Sequence, residues 1–197
     1  DDVPDTPPNG MESLRPPLRD RTVSIARASG AVTYPARFMM IATQNPCPCG
    51  YAGDQVKDCR CSMSRIIKYN QKISGPLLDR IDMVIHLNRG TSELLRTAGS
   101  AESSADISRR VLSARQIQER RFGSPTTNSE MAGSLMRRAK LAEDAQQLLE
   151  QAVSRLQLST RAHLKTLKVA RTIADLDGSA LVSSSHIAEA LQYRPKL

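Results

Sequence analysis

The 197-residue sequence has no tryptophan, only two phenylalanines and 3% aromatic residues in all. Any core it builds must be aliphatic, made of Leu, Ile, Val, Met and Ala. No apolar stretch approaches the ~18 residues a membrane-spanning helix needs, and no segment has the layout of a secretory leader. These absences exclude a membrane partner and make the cytoplasm the expected compartment. Familiar catalytic signatures are missing too. There is no G-x-x-x-x-G-K-[ST] phosphate loop, no G-x-S-x-G elbow and no H-E-x-x-H pair. The three histidines, His86, His163 and His186, are scattered and read as structural residues. A serine hydrolase, a zinc protease and a self-contained phosphate cradle are excluded within these residues.

What the sequence has is positive charge and clustered cysteine. The formal net charge is +8 and the isoelectric point about 9.7. The excess is spread out, +3 over residues 1–90 and +5 over 91–197. A balance of this sign favours a polyanionic partner, usually nucleic acid. The chain opens on Asp1, and its first residues read as the interior of a longer polypeptide.

The coarse pattern divides the chain in two. Residues 1–10 read as an extended entry, and a short helix from about Asn9 stops at Pro16 and Pro17. Val23 and Ile25, then Val32 and Tyr34, alternate with polar residues around "ASG", predicting a β-hairpin with Arg27 beside its tip. "RFMMIATQN" (37–45) is a continuous apolar run, the mark of a strand buried on both faces. A helical stretch (62–73), a Gly-Pro turn and a β-rich run (83–87) follow. The polar segment 91–103 reads as a linker. Beyond it the periodicity is helical, over 104–121, 130–138, 141–157, 158–178 and 183–194. The second helix from the end is to bury Leu164, Leu167, Ala170, Ile173 and Ala174. The last is to be capped by Ser184 or Ser185. The fold class is therefore α/β over residues 1–90 and all-α over 104–197.

All four cysteines fall within fifteen positions, as C-x-C, nine residues, C-x-C: Cys47, Cys49, Cys59 and Cys61. Four thiolates on one loop can wrap a tetrahedral Zn²⁺. Reduced structural thiols and redox or disulfide chemistry remain open as alternatives. Asn45, ending the apolar run, is either a strand-ending turn residue or a polar tip at the sheet edge where ligands of α/β sheets sit. Arg80, in "LLDRID", is either a local ion pair or a guanidinium presented to phosphate. Arg161 and Arg171 are open to the same two readings, with a solvated face the usual place for a mid-helix arginine such as Arg171.

The strings "PARFMMIATQNPCPCGYAGD", "CRC", "ISGPLLDRIDM" and "STRAHLKTLKVARTIADLDGS", with "HIAEALQYR", closely resemble the magnesium-chelatase-like AAA+ ATPases of the ComM/YifB group, from Asp1 to the C-terminus. The resemblance implies the later part of an AAA+ core, with parallel-sheet strands and a hairpin insertion, followed by a helical lid. It implies ATP and Mg²⁺ as cofactors, DNA as partner and a homo-hexamer. Relatives of this kind are implicated in branch migration of DNA. Asp1 matches the Walker B aspartate that helps hold Mg²⁺. Asp2 stands where the family has a glutamate that orients the attacking water, a departure toward a shorter carboxylate. Asn45 matches sensor 1, Arg80 the arginine finger and Arg161 sensor 2. The hairpin matches the one that points into the ring channel, so Arg27 and Arg21 are the expected DNA contacts. Two other functions fit parts of the pattern: a magnesium-chelatase motor subunit, and a zinc-stabilised DNA-binding module without ATPase activity.

Overall fold

The structure, a computed structural model, describes residues 2–28, 30–87, 102–131 and 135–195. Its contacts form two compact units, one built on Asp1–Ile81 and one on Asp82–His86 with Gly90–Lys196. Most of the expected linker, 91–101, lies outside the described residues.

The first unit opens with a 3₁₀ turn, Val3–Asp5, and two short helices, α1 (Pro8–Ser13) and α2 (Arg15–Asp20). The expected helix thus begins at Pro8 rather than near Asn9, and Pro16 and Pro17 do not simply end it. They lie in the first turn of α2, where a missing N–H costs nothing and the fixed φ suits the helix. The hairpin is as predicted. Strands β1 (Thr22–Arg27) and β2 (Gly30–Pro35) pair antiparallel, with Arg27 opposite Gly30 at the tip. Helices α3 (Met63–Asn70) and α4 (Gly75–Leu78) complete the unit. Its core is small and aliphatic: Val3, Met11, Ile73 and Leu77, with Leu14, Leu18, Met40 and Leu78 against them.

Residues 37–45 depart from expectation. They form no ladder, and β1–β2 is the only sheet among the described residues. Met40 packs inward, while Met39 is 82% and Ile41 79% exposed. A strand is buried on both faces only when strands flank it and layers cover it; here Val3 N–H donates to Thr43 O at 2.9 Å, but no ladder forms among the described residues. Residues 83–87 likewise form no strand, and Ile85 is exposed. The parallel-sheet strands of the expected core are therefore absent among the described residues.

The second unit is helical: α5 (Ser104–Phe122), a 3₁₀ turn (Asn128–Glu130), α6 (Leu135–Ala139), α7 (Glu143–Arg155), α8 (Thr160–Leu176) and α9 (Ser184–Gln192). Ser103 caps α5 and Ser159 caps α8, each hydroxyl accepting an N–H one turn in. Gly178, at φ 69°, turns the chain out of α8. The cap of α9 is Ser183, one residue before the expected serines, because His186 completes a capping box: the Ser183 N–H donates to His186 Nδ1 at 3.0 Å. Leu149, Leu167, Ala170, Ala174, Val182 and Ile187 form the core. Ile173 packs partly buried against it, whereas Leu164 is exposed. Among the described residues no helix is long and apolar enough to cross a membrane.

Candidate functional site

In the first unit the chain enters beside the end of the apolar run. Asp2 N–H donates to Thr43 Oγ1 at 3.0 Å, and Val3 N–H to Thr43 O. These two bonds bring the Asp2 carboxylate to Asn45, whose Nδ2 donates to Asp2 Oδ1 at 3.0 Å. Asp2 takes a left-handed backbone, φ 45° and ψ 62°, which an aspartate tolerates better than most residues. Two candidates 43 positions apart in sequence are thus joined directly. Asp1 lies outside the described residues.

Beside this pair stands a side chain that the helical reading of 62–73 did not single out. Tyr69 of α3 is buried, and burial first, then the Asp5 and Asp2 charges, raise its pKa, while the Asn45 main-chain N–H acts the other way. One residue on, Asn70 Oδ1 accepts from Gln44 Nε2 at 2.9 Å. Neither contact has a signature in sequence spacing, though "TQN" after the apolar run marks the place.

The cysteines come together as one cluster. All four sulfurs lie within 4.8 Å of one another. Cys47 Sγ stands 3.3 Å from Cys49 Sγ and 3.7 Å from Cys59 Sγ, and Cys49 and Cys59 are 3.6 Å apart. The four are free thiols, with Cys47 buried. The Tyr51 N–H, then Cys47, pull Cys49 down to about 6. Cys59 is pushed up to about 12; the Cys61 N–H opposes this, but burial and the neighbouring thiols Cys49 and Cys47 prevail. That divergence is what like charges at contact distance produce, since one ionises at the expense of the next. A set of soft donors at this spacing can hold a metal.

Arg80 follows α4, its N–H bonded to Leu77 O at 2.8 Å. Its Nε is buried and has no hydrogen-bond partner among the described residues. Asp20 lies near enough to be affected: Arg19 first, and Arg80 after it, hold the Asp20 carboxyl below its ordinary value. On the hairpin, Arg27 is exposed at the tip and shares a face with Val23, Ile25, Val32 and Tyr34. Arg21 stands at the hairpin's foot in a left-handed turn, its O accepting from Ala36 N–H at 2.7 Å.

In the second unit Arg161 is exposed in the first turn of α8. Arg171 is not on a solvated face. It is fully buried. Its Nε donates to Asp175 Oδ1 at 3.0 Å, and its other nitrogens donate to the carbonyls of Ala139, Ser179 and Ala180. Arg121 and Asn128 also donate to the Asp175 carboxylate. Arg171 therefore ties α8 to the end of α6 and to the loop after Gly178. Neither the ion-pair nor the phosphate reading of Arg171 included those carbonyls, because periodicity cannot show that a loop folds back over a helix.

A hairpin unit carrying an Asp–Asn pair and a Cys₄ loop, followed by a helical unit, agrees with the comparisons. The family model described as "Magnesium chelatase, subunit ChlI" matches residues 1–95, and the one described as "Magnesium chelatase, subunit ChlI C-terminal" matches 101–194. The chain belongs to the magnesium-chelatase family. Within it, the chain is similar to Competence protein ComM of Haemophilus influenzae, 38% identical over 98% of this chain. It is also similar to Uncharacterized protein YifB of Escherichia coli, 34% identical over 98% of this chain. An uncharacterized protein of Mycobacterium tuberculosis is 37% identical over 94%. The chain spans about 38% of the length of these curated relatives.

Proposed function

We propose that this chain supplies the sensing and in-trans groups of an AAA+ ATPase that works on DNA as a homo-hexamer in the cytoplasm. Residues 1–90 are the later part of the ATPase core, 91–103 a linker and 104–197 the helical lid. Residues 37–45 and 83–87 then serve as strands of a parallel sheet, which accounts for the exposure of Met39, Ile41 and Ile85. The observation that carries the reading is the Asn45–Asp2 hydrogen bond at 3.0 Å. A carboxamide that orients a carboxylate at the end of an apolar run is what positioning a nucleophilic water requires.

Two features test the fit to a nucleotide. The orphaned, buried Nε of Arg80 leaves a guanidinium with unused donor capacity, as an anion-binding arginine needs. The exposed Asn45 and Arg161 present polar groups to whatever docks on them. The residues fit. When bound, ATP with Mg²⁺ supplies the phosphoryl group and the cation that offsets its charge, with Asp1 as a ligand to the cation. Asp2 would orient the attacking water, and Asn45, hydrogen-bonded to the Asp2 carboxylate, would help position that water against the γ-phosphate. Arg80 would stabilise charge on the phosphoryl oxygens of the next subunit's nucleotide, and Arg161 would contact the nucleotide from the lid. Arg27 and Arg21 take DNA phosphates. The net charge of +8 and the competence relative support a DNA partner.

The test uses a protein of the relatives' full length that carries this chain. Arg80→Ala should leave nucleotide binding unchanged and lower turnover by roughly 10³-fold or more; unchanged turnover refutes the finger. A second reading, a motor for metal insertion into a porphyrin, is favoured by the family model's description. ATPase activity indifferent to DNA would support that reading over this one.

A further inference from the structure

We infer that Cys47, Cys49, Cys59 and Cys61 hold one zinc ion, and that this ion is a staple that fixes Asn45 against α3. The donor set is all sulfur, which suits a borderline-soft cation and rejects Mg²⁺ or Ca²⁺. The spacing selects a single ion. Zn–S bonds of about 2.3 Å in a tetrahedron place sulfurs about 3.8 Å apart. The separations here are 3.3, 3.6 and 3.7 Å, and no pair exceeds 4.8 Å. Disulfide sulfurs sit closer, at about 2.05 Å. An iron–sulfur cluster distributes its thiolates over different irons, which spreads them wider than this.

The loop is built around the sulfurs. Ala52 N–H donates to Cys47 Sγ at 3.3 Å, and Gly50 N–H to Cys47 O at 2.9 Å. Gly50 and Gly53, at φ 81° and 78°, make the two left-handed turns this wrapping needs, a backbone that a side chain would strain. Beyond them, Asp54 Oδ1 accepts the N–H groups of Val56 and Lys57, and the Lys57 ammonium lies 5.0 Å from the Tyr51 ring centre. The nine-residue span therefore has its own internal order.

What the ion would hold follows from the chain path. Only Pro46, with its fixed φ, separates Asn45 from Cys47. Only Ser62 separates Cys61 from α3. At its far end α3 returns to the start of the loop, where Asn70 accepts from Gln44 and Tyr69 lies behind Asn45. The path is a closed circuit with the four sulfurs at its neck. One ion there fixes both ends at once; without it the neck is held by weak thiol contacts.

This inference does not rest on the ATPase reading, because metal content and backbone protection are measured without turnover. The chain purified without chelator should contain about one zinc per molecule, the stoichiometry of a Cys₄ site. Cobalt in its place should give the intense visible bands of a tetrahedral tetrathiolate. In hydrogen exchange, a zinc chelator should remove protection from residues 43–45 and 63–70 together and leave α8 unchanged, with zinc restoring it. Cys59→Ser with Cys61→Ser should do the same without chelator. No zinc after incubation with zinc, with four thiols freely titrating, overturns the site. An octahedral cobalt spectrum or an iron–sulfur chromophore also overturns it. Zinc bound with no change in protection at 43–45 overturns the staple.

Discussion

Replacing Asp175 with Asn should be the most damaging single polar change in the helical unit. The Asp175 carboxylate is 1% exposed and receives donors from Arg171, Arg121 and Asn128. An amide of the same shape keeps one acceptor oxygen and turns an NH₂ toward those donors. Arg171, fully buried, would then be a cation with only the carbonyls of Ala139, Ser179 and Ala180 around it. Breaking a buried ion pair from one side costs about 3–5 kcal/mol. The three carbonyls remain, so the lower end, about 3 kcal/mol, is the expected loss. Arg121→Ala should cost less, about 1–2 kcal/mol, because its side chain is already 17% exposed and Asp175 keeps its other donors. In a unit of this size, 3 kcal/mol lowers the melting midpoint by about 12 °C or more. Urea titration followed by hydrogen exchange in α8 reads this unit separately from the other. An Asp175→Asn chain within about 1 kcal/mol of the parent, or more stable than Arg121→Ala, would refute the assignment of this network as the anchor of α8.

Burial alone holds the His163 pKa below its ordinary value of about 6.5. The unfolded chain therefore binds more protons as pH falls through 6.5, so stability should drop there and level off below the folded value; His163→Gln should remove that slope in denaturation at pH 5 to 7.5, and an unaltered slope would assign it to another group. Gly178→Ala places a side chain at φ 69°, with open space around it, so the cost is conformational, roughly 1–2 kcal/mol by urea unfolding. If the proposed DNA partner is right, Arg27→Ala should weaken DNA binding about equally for all sequences and reduce the salt slope by about one, as loss of one phosphate contact does. A sequence-dependent loss would instead mean that Arg27 touches bases.

The hairpin and the helical unit were legible because their signals are local. Alternation around "ASG" specified β1, β2 and the place of Arg27, and 3.6-residue periodicity specified α5, α7 and α8. The exposure of Met39 and Ile41 was not legible, because a continuous apolar run reports what a segment can bury, not which neighbours are there to cover it. For Arg171 the local ion-pair reading is met by Asp175, while its burial was missed for the complementary reason. Its position in α8 says nothing of Ser179 and Ala180, whose carbonyls fold over it after the Gly178 turn. At the site, the closeness of the four cysteines followed from their spacing. The contact of Asn45 with Asp2 needed the structure, since Thr43 is what draws the chain start alongside.

The buried arginine also sets a mechanical scale. Arg161 and Arg171 stand ten residues apart on one helix, about 15 Å at 1.5 Å per residue. With its foot tied to Asp175, Ala139 and Ala180, α8 carries the Arg161 guanidinium at its opposite end. A tilt of about 10° at the foot swings that end by roughly 2.5 Å, a hydrogen bond's worth of travel. Substitutions at Ala180 or Asn128, far from Arg161, can therefore spoil its aim without touching it.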